Sequence, residues 1–290
     1  MKAIGFLATE EGTAAEALTD IEIDRPTPSG RDLLVQIKAV SVNPVDTKVR
    51  RRTAGTGGTY QVLGWDAVGA VVAVGEEVTS YQPGDKVWYA GDITRPGANS
   101  EYHLVDERIV GKPPESLSDS EAAAIPLTAI TAWELLFDRL GFDQAPDVEE
   151  KPGQRLLIVG AAGGVGSILT QLAKQLTGAT VIGTASRPES QAWVKDLGAD
   201  HVIDHRQPFS EELTRIGIDN VTHVISLNHT DDHFDRLVEV LAPQGKFALI
   251  DDPETLLDIR KLKQKSISLH WELMFTRSMF ETDDMTKQRD

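Results

Sequence analysis

Arg155-Leu-Leu-Ile-Val-Gly-Ala-Ala-Gly-Gly-Val-Gly166 decides the fold of this chain. Leu156 to Val159 is a short apolar run of the kind that forms a buried strand, and it leads straight into a glycine-rich turn. Beyond the turn, Val165, Ile168, Leu169, Leu172, Ala173 and Leu176 recur at the i, i+3, i+4, i+7 spacing of one buried helix face. Strand, glycine turn and helix in that order make the phosphate-binding start of a dinucleotide fold. Of Gly160, Gly163 and Gly166, one makes the tight turn, one lets backbone approach a pyrophosphate, and one lets helix pack close on strand. With Ala162, Gly164 and Val165 they form the expected cofactor-binding turn. The pyrophosphate would sit on the free N–H groups and positive end of the helix. The alternative is a plain strand–turn–helix connection without a ligand.

The next strand decides which nucleotide fits. Thr180-Val-Ile-Gly-Thr184 is β-rich and runs into Ala185-Ser186-Arg187. A site for NADH places Asp or Glu near here to bind the ribose 2′-hydroxyl. This chain instead offers Ser186 and the guanidinium of Arg187, which can fork two N–H bonds onto a 2′-phosphate. NADPH is therefore the expected cofactor. Otherwise, Arg187 is a surface cation and Ser186-Arg187-Pro188 merely start a helix.

Outward from this stretch, strand and helix patterns alternate. Strands fit Leu156–Val159, Thr180–Thr184, His201–Asp204, His223–Leu227 and Phe247–Ile250. Helices fit Val165–Leu176, Pro188–Leu197 and Asp232–Leu241, with Gly198 and Gly245 closing two of them. Such alternation predicts an α/β architecture with a doubly wound parallel sheet. Ser266 to Leu273 alternates polar and apolar residues and could add a sixth strand, its edge guarded by Lys261, Lys263 and Lys265 or joined to a second subunit. The earlier part reads as β-rich, with strand-like Leu33–Val42, Ala67–Val74 and Pro83–Trp88. A capping box, Ser118 with Glu121, opens an expected helix from Ala122 to Leu140. The acidic, proline-containing link Asp143–Pro152 precedes the glycine strand.

Bulk composition narrows the classes. A chain of 290 residues exceeds what one core usually supports, so two domains are expected. Lys plus Arg number 29 and Asp plus Glu 45, giving a net charge of −16 that repels nucleic acid and anionic membrane surfaces. Cysteine is absent, which removes disulfides, thiolate catalysis and Cys-ligated metals. Glu10 and Glu11 come too early for a signal peptide and no run reaches membrane-spanning length, so a cytoplasmic location is expected.

Five segments together carry a resemblance: Asn43-Pro-Val-Asp46, Gly64-Trp-Asp-Ala-Val-Gly69, Gly84-Asp-Lys-Val87, Thr128-Ala-Ile-Thr-Ala132 and Gly160–Gly166. Their order resembles the medium-chain dehydrogenase/reductase superfamily, above all its zinc-free quinone oxidoreductases and their zinc-type-alcohol-dehydrogenase-like relatives. The resemblance implies a GroES-like catalytic domain over residues 1–122 and a Rossmann NADP-binding domain over 123–275. Residues 276–290 would start a return segment that family members continue further. Nicotinamide and substrate would lie in the cleft between the domains.

By the same resemblance, Asn43 would lie beside nicotinamide and substrate, where its amide can orient or polarise an oxygen. Asp46 would cap a helix turn or pair with a cation. Lys48, where relatives often carry Tyr, would be a proton donor, an oxyanion partner or a solvent-facing residue. Thr131 would touch the nicotinamide side or serve helix packing. Asn228 would lie against the nicotinamide ribose or begin a helix, and Ile250 closes the last expected strand beside the cofactor. His205, where relatives often place Tyr, would bind the 2′-phosphate as a neutral ring or a cation, or lie on the surface. Phe275 would line the pocket or close the domain interface.

Zinc is where the sequence departs from the alcohol dehydrogenases. The Gly-His-Glu motif that supplies a zinc ligand reads Gly64-Trp65-Asp66 here, and an indole has no lone pair to give a metal. His103, His223 and His229 show no ligand spacing. Without a Lewis acid, the expected substrates are quinones or α,β-unsaturated carbonyls, which take hydride readily. The resemblance also implies a homodimer through the Ser266–Leu273 edge. A noncatalytic NADPH-binding sensor or crystallin-like protein is the alternative.

Overall fold

The structure, a computed structural model, describes residues 1–7, 18–52, 59–144 and 153–289. Glu10, Glu11 and the 145–152 part of the acidic link lie outside the described residues. The chain forms two compact units, Met1–Leu127 with Met274–Asp290, and Thr128–Leu273.

In chain order the first unit contains β1 (Lys2–Leu7), β2 (Thr19–Glu22), β3 (Asp32–Ser41), helix α1 (Pro44–Arg52), β4 (Tyr60–Val62), β5 (Asp66–Val74), β6 (Lys86–Ala90), β7 (Tyr102–Asp106) and helix α2 (Asp119–Ala123). Its strands are antiparallel, in one sheet of order β2-β1-β4 and another of order β6-β5-β3-β7. Leu33, Val35, Ala67, Val71, Val87 and Tyr89 form its core. β3 shifts register twice against β5, which bends the strand. Its last pairing sets Ser41 opposite Asp66, so the approach to α1 and the start of β5 run side by side.

The expected helix from Ala122 to Leu140 is interrupted. Helix α2 ends at Ala123, helix α3 (Pro126–Trp133) restarts the turn, and Glu134–Arg139 widens into a π-helical segment. Pro126 explains the break: it has no N–H to give, and it disfavours helical backbone at the preceding residue. The capping box forms, with Ser118 N–H donating to Glu121 Oε2 at 2.9 Å and Glu121 N–H to Ser118 Oγ at 3.3 Å. The boundary between the units falls inside α3.

The second unit runs β8 (Arg155–Val159), α4 (Gly164–Leu176), β9 (Thr180–Thr184), α5 (Pro188–Asp196), β10 (His201–Ile203), α6 (Phe209–Arg215), β11 (Val221–Ser226), α7 (Thr230–Val240), β12 (Leu241–Leu249) and β13 (Ser268–Trp271). All six strands are parallel, in the order β10-β9-β8-β11-β12-β13. This is the doubly wound Rossmann order, which reverses between β8 and β11 and opens a ligand crevice at the strand ends there. Leu156 and Ile158 of β8 face a core shared with Leu169 and Ala173 of α4. Leu157 and Val159 face the opposite core with Phe234 and Leu237 of α7. Burial on both faces is why β8 is apolar from Leu156 to Val159 instead of alternating.

The sixth strand exists and takes the sheet edge. Two of the lysines before it do other work. Lys261 pairs with Asp235 of α7 at 2.5 Å, and Lys265 Nζ donates to the carbonyls of Val238, Glu239 and Leu241. The last carbonyls of a helix lack intrahelical partners and carry partial negative charge, so a nearby ammonium settles there instead of guarding an edge. A short helix α8 (Thr276–Met279) belongs to the first unit.

Candidate active site

The turn after β8 is made of backbone. Gly160 holds φ at +82°, its N–H donates to Thr184 Oγ1 at 3.1 Å, and its carbonyl accepts from Gly163 N–H at 3.0 Å. It is that left-handed φ which favours glycine here; a Cβ would meet the Asn228 side-chain amide, whose exposed end can shift. A Cβ at Gly166 would overlap the backbone of Gly160 and Ala161. At Gly163 it would meet only the Gly160 carbonyl, at 3.4 Å, so the turn is open there. Helix α4 starts at Gly164 with no side-chain cap. Ala162 and Val165 pack against the core beneath. The turn thus opens onto the first N–H groups of a 13-residue helix, which have no partner within the helix, at its positive end, able to hold a diphosphate.

Side chains of the second unit surround that turn. Asn228 is exposed after β11, and half-buried Ile250 follows β12. Ser186 is half-buried after β9, and exposed Arg187 opens α5, its Nη2 lying 3.4 Å from Ser190 Oγ. Arg206, which the sequence reading passed over, joins this corner: it forks onto Asp204 and donates through Nη2 to the Ser186 carbonyl at 3.0 Å. His205 is half-buried, 6.0 Å from the ring of His233, and its Nδ1 is buried without a hydrogen-bond partner. Burial lowers its pKa, with the cations of Arg206 and Arg236 acting the same way against Asp204. The neutral ring, not the cation, is the favoured form.

In the first unit, the chain before α1 meets the start of β5 in a buried polar cluster. Asp46, in the first turn of α1, accepts from Asn43 N–H at 2.6 Å and from Gly64 N–H at 3.0 Å. The former is the reach-back half of a capping box. Asp66, fully buried, accepts from Asn43 Nδ2 at 2.8 Å and from Leu127 N–H at 2.8 Å. Desolvation pushes the Asp66 carboxyl up to about 7, held down in part by its two hydrogen bonds. Burial raises the Asp46 carboxyl too. Between Gly64 and Asp66 lies Trp65, 2 % exposed, with its ring edge-on to Phe275 at 6.1 Å and its buried Nε1 without a partner among the described residues. Lys48 is half-buried on α1, and Thr131 is buried on α3 in the second unit.

The family model described as alcohol dehydrogenase GroES-like domain matches residues 29–115, and the zinc-binding dehydrogenase model matches residues 164–287. A zinc-type alcohol dehydrogenase-like protein of Staphylococcus epidermidis is 39% identical over 290 residues, covering all of this chain and 85% of the relative. The chain belongs to the medium-chain dehydrogenase/reductase superfamily. Among solved members, a Rhizobium etli CFN 42 protein carrying the description of a zinc-dependent alcohol dehydrogenase is 53% identical with a TM-score of 0.90. That likeness covers 99% of this chain and 83% of the other. The Escherichia coli quinone oxidoreductase complexed with NADPH is 27% identical with a TM-score of 0.80, over 99% of this chain and 85% of that one.

In this medium-chain dehydrogenase/reductase the motif that gives alcohol dehydrogenases a zinc ligand has lost its histidine. The chain has no cysteine, and Trp65 stands in the motif where alcohol dehydrogenases place a histidine ligand. His103 has both ring nitrogens engaged, by the Tyr89 hydroxyl and the Pro96 carbonyl, each at 2.9 Å, and burial pulls its pKa down to about 4. Among the described residues, no group of three His, Cys, Asp or Glu is placed to hold a metal.

Sequence reasoning quoted Asp66 within a motif but gave it no role. Its hydrogen bonds reach 23 residues back and 61 forward, and no local pattern signals such partners. A carboxylate directly heading the apolar run Ala67–Val74 was the available hint.

Proposed function

We propose that this oxidoreductase is an NADPH-dependent reductase of quinones or α,β-unsaturated carbonyls that works without zinc. The observation that carries the reading is Trp65 at the position where the alcohol dehydrogenase motif has its histidine ligand, in a chain that has no cysteine and keeps an open glycine turn. Relatives support it: the Escherichia coli quinone oxidoreductase, a 2-methylene-furan-3-one reductase of Solanum lycopersicum at 34% identity over 223 residues, and an enoyl reductase at 25%.

When bound, the cofactor supplies the hydride. Residues Gly160, Ala162, Gly163, Gly164, Val165 and Gly166 would hold its diphosphate on backbone N–H groups. Ser186, Arg187 and neutral His205 would hold the 2′-phosphate, with Arg206 fixing the Ser186 carbonyl beside them. Asn228, Ile250 and Thr131 would position the nicotinamide half. Asn43 would orient the substrate oxygen, Lys48 would stabilise or protonate it, and Phe275 would help exclude water. Substrates whose charge spreads over a conjugated oxygen need only such donors, which is why this chemistry suits a site without a Lewis acid. We further propose a cytoplasmic homodimer joined through the β13 edge, without nucleic-acid or membrane partners.

The test is titration with NADPH and NADH, then turnover with 1,4-benzoquinone and a 2-alkenal. Tight NADPH binding with turnover is expected. Arg187→Asp should shift preference toward NADH by about 10- to 100-fold, the worth of a charge-assisted fork. Binding without turnover of any acceptor would replace this reading with a noncatalytic NADPH-binding protein.

A further inference from the structure

We propose that Asp66 is a positioning residue: its carboxylate fixes which way round the Asn43 amide stands, and so whether Asn43 meets a ligand as acceptor or as donor. This rests on the reading above in which Asn43 handles the substrate oxygen.

An ionised carboxylate can only accept, so the amide group facing it must be Nδ2, as observed at 2.8 Å. Asn43 is then left with Oδ1 and one remaining N–H for other partners. Its backbone cannot drift, because its own N–H is held by Asp46. Nor can Asp66 rotate away, since its Oδ1 holds Leu127 N–H at the start of α3. The carboxylate therefore has one oxygen committed to the fold and one free to dictate the amide.

Protonation reverses the arrangement. The Leu127 N–H needs Oδ1 as acceptor, so the proton goes to Oδ2, where it faces Asn43. Two donors then oppose each other, and the amide must turn over to bring its Oδ1 toward Asp66 and its Nδ2 outward. Both states are fully hydrogen-bonded and differ only in the polarity shown to the ligand. The surroundings favour a change near neutral pH. Burial is the largest influence on Asp66, and Asp46 on α1 is the charge that bears on it, acting in the same direction. Ser41 and Ala90, opposite on β3 and β6, are uncharged, and Leu127 offers only its amide.

The experiment follows the side-chain amide of Asn43 by nitrogen-15 NMR of the full chain between about pH 5.5 and 8.5, assigned by its loss in Asn43→Asp. A single transition near neutrality is expected, absent in Asp66→Asn, whose amide donates toward Asn43 at every pH. In NADPH oxidation with 1,4-benzoquinone, Asp66→Asn should lower kcat about 10- to 100-fold, as misoriented groups do. It should also erase the limb of the pH profile near neutrality and leave NADPH affinity unchanged. An Asn43 amide indifferent to pH overturns the proposal, and this wild-type result decides even if Asp66→Asn fails to fold. Wild-type kcat and pH profile in Asp66→Asn overturn it equally. Wild-type protein that turns over no quinone or enone overturns the reductase reading and the catalytic use of the amide, while the titration still reports the Asp66–Asn43 coupling.

Discussion

The glycine turn after β8 and the carboxylate cluster around Asn43 solve the problem of a polar site in opposite ways. The turn is made by seven consecutive residues and works through what its glycines and the helix start lack: no Cβ to clash at Gly166 and no side-chain cap on α4. The cluster gathers residues 43, 46, 64, 66 and 127, and works through two carboxylates taken out of water. A backbone cradle carries no group that titrates, and steric fit alone keeps it open. A buried carboxylate pair carries a desolvation cost that only its hydrogen bonds offset, so it responds sharply to losing one partner and to pH.

Removing Asp46 should break the comparison most severely. Asp46→Ala leaves the N–H groups of Asn43 and Gly64 buried without acceptors, at a cost of about 2–4 kcal/mol. A fall of several degrees in the thermal midpoint is expected, and an unchanged midpoint would show that water or backbone movement satisfies both groups. The converse test is Gly166→Ala. Its methyl would overlap the backbone of Gly160 and Ala161, and overpacking of this kind costs about 1–3 kcal/mol. Since the turn must open to admit the methyl, NADPH affinity should drop at least ~10-fold; full-strength binding would mean that the cradle is not the diphosphate site.

A third test sharpens the contrast, because only the cluster titrates. Burial raises the Asp66 carboxyl from 3.8 to about 7. Between those values the folded chain keeps a proton that the unfolded chain has released. Asp66 therefore contributes stability at low pH that is lost as pH rises through the window, by at most about 1.4 kcal/mol per pH unit. Thermal midpoints of the wild type, taken against Asp66→Asn from about pH 4.5 to 7.5, should decline relative to the variant. Parallel curves would show that the Asp66 proton is not linked to folding.

Much of the second unit was legible in the sequence. β9 runs over Thr180–Thr184 as expected, and β8 and α4 begin one residue earlier than their apolar patterns do. Their signals are local: strand length, helix period, glycine spacing. Helix α6 and the short strands β1, β2, β4 and β7 went unread, and of α1 only the expectation that Asp46 caps a helix turn was in hand. In the first unit most stabilising pairs are cross-strand and distant in sequence, so short segments there carry little signal of their own.

By itself the sequence determined the parallel doubly wound sheet, the glycine turn at its centre, and an indole where the family motif has a histidine. Periodicity, glycine and the absence of a lone pair act at single positions or over one element, whatever the rest of the chain does. Tertiary structure alone decided that Lys265 serves the end of α7 and that Asp66 grips Asn43. Those outcomes depend on which groups are brought together and stripped of water, and a hydrogen bond between residues 43 and 66 exists only once β3 and β5 have paired.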